Sequence, residues 1–317
     1  MKSTITSASI IALCLFVAIL AVPAYAVTNE LVTSSVSHSI EKFDSSGNWT
    51  RTFASTGPWA PIGVVASPVS NDVFVSTDTP TILRYRETGA RLGPGGSRWS
   101  TFSVASIGTN AVQSLMFDSS GDLYVATNYG TSGYVVEIFK YPASQLTRES
   151  PVPSGSPIMT TVGRGDQMVF DAYGNICIAS FGSPNTVQCY DPGTGTLKFD
   201  YASEIQPLAI QPVGIAFGPN NRLIVSSVFT GEVYEEAAER VGPMTLLASG
   251  MVAEVDFFAT GSDGMLYLPS FHNAEAGCGN HGFSPDIVYK IDPSSGAVTN
   301  FITDNVWGPY QMIFVPF

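Results

Sequence analysis

The sequence predicts an all-β fold, a six-bladed β-propeller closed by pairing of N-terminal and C-terminal strands in one blade. Three observations predict it. A unit of apolar strand, polar turn and apolar strand recurs at roughly 42 to 56 residues, the range of propeller repeats. The two chain ends carry complementary parts of one more unit. The composition is rich in turn formers, with 30 Gly and 21 Pro spread along the chain, and in the β-branched and aromatic residues that strands favour.

The first residues predict the compartment. Lys2 gives a short positive region, Ile10 to Val22 an apolar run, and Pro23 to Ala26 the small residues that a signal peptidase reads. This is the pattern of a secretory signal peptide cleaved after Ala26. A retained anchor is the alternative, but the run is shorter than the ~20 residues that span a bilayer. The expected organisation is a signal peptide over 1–26 and a single propeller domain over 27–317. The mature chain carries no predicted membrane span, and it is expected to be secreted or periplasmic and monomeric.

Five full units follow in order. Their first two strands read "PIGVVASPVSNDVFVSTD" from Pro61, "VQSLMFDSSGDLYVATN" from Val112, "DQMVFDAYGNICIASF" from Asp166, "PVGIAFGPNNRLIVSSV" from Pro212 and "AEVDFFATGSDGMLYLPSF" from Ala253. The turns hold Gly-Asp, Gly-Asn, Asn-Asn and Asp-Gly, residues that tolerate positive φ. A third strand follows in each, such as "ILRYRETGARLG" from Ile82 and "IVYKIDPSSGAV" from Ile287. At the C-terminus, "GPYQMIFVPF" is a first strand with nothing after it. The mature N-terminus, "NELVTSSVSHSIEKF", is a second and third strand with nothing before them. Joined, they make the sixth blade, and closure removes the exposed sheet edges.

The stretches "GIAFGPNNRLIVSS", Gly214 to Ser227, and "ILRYRETGARLG" resemble NHL-repeat propellers and the gluconolactonase-like and virginiamycin B lyase-like six-bladed propellers. The resemblance covers nearly the whole mature chain and implies the fold. The activities it implies are a metal-assisted lactonase-like hydrolase or a lyase. The lactonase-like enzymes hold a divalent cation with acidic and Asn residues before the inner strands. There this sequence offers Glu254 alone among carboxylates, with Ile62 and Val213 where ligands would be wanted.

Propeller topology makes residues before each first strand and after each second strand ring one mouth of the channel, a common place for ligands. The apolar pattern places Ile62, Gln113, Gln167, Val213, Glu254 and Gln311 before the strands. It places Asp78, Asn128, Phe181, Phe229 and His272 after them. Glu254 and His272 fall in one blade and are the candidate acid and base. Gln113, Gln167, Gln311, Asp78 and Asn128 are the candidate ligand-binding residues, and a divalent cation is the candidate cofactor. The same amides can equally satisfy buried backbone groups in the channel.

The chain has three histidines, and two of them, His272 and His281, flank Cys278 in the long loop that follows the fifth unit's second strand. His272, Cys278 and His281 form a candidate metal set of unusual spacing, or else decorate a surface lid. Cys177 and Cys189 lie in adjacent predicted strands, close enough for a disulfide, which an exported protein can keep.

The net charge of −12 argues against nucleic acid, whose binding rests on neutralised phosphates. The expected partner is a small polar molecule, or an extracellular protein or glycan, held at the channel mouth. Catalysis there is the alternative. No Gly-x-Ser-x-Gly elbow is present, and the Arg-Gly-Asp at Arg164 to Asp166 reads as the entrance to an inner strand.

Overall fold

The computed structural model describes residues 29–92, 100–104, 109–129, 135–182, 184–252, 255–270 and 286–317. These form six four-stranded antiparallel sheets, the blades of a propeller. The inner strands of blades two to six are Pro61–Ala66, Thr109–Phe117, Arg164–Phe170, Pro212–Phe217 and Ala259–Thr260, and Met312–Val315 is the inner strand of blade one.

Blade one is the closure. Its C-terminal inner strand pairs antiparallel with Asn29–Ser34, from Asn29 opposite Val315 to Val32 opposite Met312. The N-terminal segment supplies three strands rather than the expected two. After Ser39–Phe43 comes an outer strand, Trp49–Ser55, whose four leading residues are exposed. Outer strands carry little apolar signal because only one edge and part of one face touch the blade, which is why the sequence pattern passes over them.

The apolar residues build one core between each pair of neighbouring blades. Phe74 and Ile82 of blade two pack with Leu115 and Phe139 of blade three. Val187 of blade four packs with Ile215 and Val225 of blade five. Consecutive inner-strand residues serve opposite interfaces. Val64 joins the cluster shared with blade one, and Val65 packs against the cluster shared with blade three. A strand covered on both faces needs a continuous apolar run, as in "IGVV".

Three turns share one mechanism. In "DSSGN", "DSSGD" and "DAYGN" the leading aspartates Asp44, Asp118 and Asp171 each accept two backbone N–H bonds with one carboxylate oxygen, at 2.8–3.0 Å. The glycine of each takes a φ near +80°, at +80°, +85° and +79°, which an L side chain rarely adopts.

Cys177 and Cys189 stand directly opposite one another in blade four, both fully buried, and form the expected disulfide. Between blades two and three lies a buried ion network. Asp72 and Arg84 are both 0% exposed and pair at 2.5 Å, and Arg148 reaches the other Asp72 oxygen at 2.6 Å. Among the described residues no helix is long and apolar enough to cross a membrane.

Candidate functional site

The channel mouth is built by a β-bulge at the start of the inner strands. In blades two, four and five, Pro61 pairs with Thr77, Gly165 with Ser180 and Pro212 with Ser227. The register then jumps, to Val64 opposite Val75, Met168 opposite Ile178 and Ile215 opposite Val225. Two inner-strand residues therefore face one residue of the second strand. A bulge of this kind re-aims a side chain at the rim of a closed sheet.

This register defines the ring. The first bulge residues are Ile62, Asp166 and Val213, and blade three contributes Gln113 at its own shift between Val112 and Ser114. In blade six Asp256 takes the position, since the Phe258 N–H two residues on donates to the same acceptor, Gln167 Oε1, as the Ile215 N–H two residues after Val213. In blade one the position falls on Tyr310, whose carbonyl accepts the Phe257 N–H at 3.1 Å. The ring is thus Tyr310, Ile62, Gln113, Asp166, Val213 and Asp256.

The expected ring and the observed one agree at Ile62, Gln113 and Val213. Gln167 and Gln311 lie one residue further in, and Asp166 and Tyr310 hold the ring positions expected for these two glutamines. Asp166 and Asp256 are the candidate site residues that the sequence pattern missed. The missing signal is the bulge, which adds a residue without altering the apolar run after it.

Ring members converge on the axis. Ile62 and Val213 form one buried cluster with Phe257, and Ala111, Phe181, Val228 and Tyr310 pack against it. Every blade contributes, so the mouth has an apolar floor. Asp166 and Asp256, 3% and 7% exposed, occupy the same ring beside it. Phe181 meets the exposed ring of Phe229 edge to face, 6.3 Å between centroids. The Ser180 hydroxyl and Gln211 Oε1 are buried at this end of blades four and five and have no hydrogen-bond partner among the described residues.

The remaining predicted residues divide in two. Asn128 is buried, and its Oδ1 accepts the Gly165 N–H at 3.1 Å, holding the residue before the blade-four bulge. Asp78 is exposed at the same end and accepts the Ala60 N–H at 3.1 Å. Glu254, His272, Cys278 and His281 lie outside the described residues, so the expected acid–base pair and the His-Cys-His set have no described geometry.

Gln167 and Gln311 work inside the channel. An inner strand has one edge without a partner strand, and its N–H groups need acceptors. Gln311 Oε1 of blade one accepts the Val64 N–H of blade two at 2.8 Å. Ser114 Oγ of blade three accepts the Met168 N–H of blade four at 3.1 Å. Gln167 of blade four accepts the Ile215 N–H at 2.9 Å and reaches on to blade six. It passes Gly214, where a Cβ would lie 2.2 Å from the Asp256 carbonyl oxygen and 2.5 Å from Ser226 Oγ. Only glycine lets the chains approach this closely.

Fold and ring together define a six-bladed β-propeller with a partly acidic, aromatic mouth. Solved structures share this architecture. A protein of unknown function from Bacteroides caccae matches with a TM-score of 0.63 at 17% identity, over 92% of this chain and 99% of its own. The structure of the nidogen/laminin complex matches with a TM-score of 0.65 at 12% identity, over 90% and 98%. Virginiamycin B lyase from Staphylococcus aureus matches with a TM-score of 0.51 at 13% identity, over 77% and 70%. At these identities the likeness establishes the fold. No protein-family model matches the chain, and no curated protein matches it.

Proposed function

We propose that this is an exported propeller that binds a small cationic ligand at the ring mouth. The observation that carries the reading is the pair Asp166 and Asp256, at the same bulge position two blades apart, on either side of the apolar Val213. A carboxylate kept from bulk water favours a positive partner more than a solvated one does. The Phe181–Phe229 pair adds aromatic surface that suits a cation. Ser180 Oγ and Gln211 Oε1 offer further polar contacts. The net charge of −12 draws cations toward the protein at long range. Export is supported by the N-terminal pattern and by the disulfide.

The test is a thermal-shift panel on the mature chain, with small primary and quaternary amines set against matched carboxylates. Stabilisation by amines, lost in the Asp166→Asn, Asp256→Asn double variant, is the expected result. Stabilisation by carboxylates alone, or an amine shift that survives the double variant, counts against the reading.

One observation favours a second reading, catalysis by Glu254 and His272. Val255 bridges Ser270 in antiparallel pairing, and Glu254 directly precedes Val255 while His272 follows Ser270 by two residues. Metal content by mass spectrometry separates the readings. A stoichiometric divalent ion lost in both Glu254→Ala and His272→Ala favours catalysis, and loss with His272 alone points to the loop with Cys278 and His281.

A further inference from the structure

The channel has a second end, formed where the inner strands finish and turn outward. A cavity of about 520 Å³ opens there across blades one to four. That lies within the range of small-molecule sites, roughly 300–1,000 Å³. Its wall is apolar, made by Val65, Phe117, Val169, Phe170, Ile313 and Phe314. All six are only partly buried.

The floor carries the specific feature. Gln311 and Gln167 both line the cavity. Gln167 spends its amide on the backbone, donating to the Phe258 carbonyl and accepting from Ile215 and Phe258. Gln311 differs. Its Oε1 accepts the Val64 N–H, which fixes the amide's orientation, and among the described residues nothing accepts from its Nε2. A fixed donor on the floor of an apolar cavity is placed to serve an acceptor.

Charge narrows the ligand. Among the described residues the only ionisable side chain on the wall is Asp118, at the rim, and its carboxylate is engaged by the Ser120 and Asp122 N–H groups. None of the described lining residues is a cation that could compensate an anionic ligand, whose burial would then be costly. We propose that the far end of the channel is a second binding site, for a compact neutral molecule with an apolar body and one hydrogen-bond acceptor. The acceptor, a carbonyl or ether oxygen, takes the Gln311 Nε2 donor, and the apolar body covers the Phe117, Phe170 and Phe314 rings. This site is separate from the ring mouth and stands or falls independently of it.

The test is fluorescence titration of the mature chain with prodan, a neutral naphthalene ketone whose emission moves to the blue in apolar surroundings. The anionic dye anilinonaphthalene sulfonate is the control. The expected result is saturable binding of one prodan per chain, at least tenfold tighter than the anionic dye. Ala66→Phe should fill the cavity and weaken prodan at least tenfold. Ser119→Trp, at the exposed rim, gives the same test without touching the core. Gln311→Glu keeps the acceptor for Val64, removes the donor, and should weaken binding about tenfold, the size of one lost hydrogen bond. Asp166→Asn, at the other mouth, should leave prodan affinity as it is while weakening amine binding there. No prodan binding, equal binding in Ser119→Trp, preference for the anionic dye, or loss in Asp166→Asn each overturns the proposal.

Discussion

Gln167 pairs with Phe258 as a strand would, accepting its N–H at 2.8 Å and donating to its carbonyl at 2.7 Å. A side chain of blade four thus closes the free edge of blade six, with the Ile215 N–H of blade five taken on the way. The contact ties three blades together inside the channel, where a closed ring has no neighbouring strand to offer.

Removing this amide should destabilise more than an ordinary buried side chain. Gln167→Leu leaves three buried backbone groups without their partner, at about 1–3 kcal/mol for each such group before relaxation. A loss of about 3 kcal/mol in urea unfolding is expected. Gln167→Glu keeps the acceptor and should lose less. Equal stability of Gln167→Leu and wild type would falsify the bridging role.

The blade-four disulfide closes a loop with a sequence separation of 12. The chain-entropy relation gives about 3 kcal/mol for a loop of this length. The Cys177→Ser, Cys189→Ser double variant should unfold at correspondingly lower denaturant, and reductant should no longer shift its midpoint. Wild type insensitive to reductant in the unfolding transition would contradict the assignment.

Asp72 is the anchor of two arginines. Its Oδ2 accepts from Arg84 at 2.9 and 2.5 Å, and its Oδ1 from Arg148 at 2.6 Å. Asp72→Ala removes the carboxylate partner of the buried Arg84 guanidinium and should cost about 3–5 kcal/mol. Arg148 is about one-third exposed, so Arg148→Ala should cost far less. Calorimetric unfolding of the two variants checks the order, and an equal loss in both would sink the account of a buried anchor.

Glu30 sits in the closing strand at 1% exposure, and its Oε2 has no hydrogen-bond partner among the described residues. Burial, reinforced by Asp44, pushes its carboxyl up to about 8. The folded chain therefore keeps this proton to about pH 8, while the unfolded chain releases it near 4.5. Between those values the unfolded state binds fewer protons, so stability falls as pH rises. The fall should amount to a few kcal/mol between pH 5 and 8.5, less where carboxylates elsewhere oppose it. Urea midpoints across that range should decline in wild type and decline less in Glu30→Gln. Parallel profiles would show that Glu30 is not the group responsible.

Much of the fold is legible in the sequence because each blade repeats a strand–turn–strand pattern with Gly and Asp at fixed places. Closure is legible because "GPYQMIFVPF" and "NELVTSSVSHSIEKF" are halves of one pattern. The outer strand Trp49–Ser55 is not, since four of its first residues face solvent. The ring was legible where the residue before the apolar run is also the bulge residue, at Ile62 and Val213. It was obscured where a glutamine follows, because Gln167 and Gln311 look like mouth residues yet act as edge acceptors within the channel. Asp166 was hidden inside an Arg-Gly-Asp tripeptide, and Asp256 between Glu254 and two phenylalanines.

The measurement that tests the central claim most directly is calorimetric titration of the mature chain with the amine that shifts its melting temperature most. One site per chain is expected, weakened at least tenfold in both Asp166→Asn and Asp256→Asn and by rising salt. Unchanged affinity in both variants, or no amine that binds at all, would contradict it.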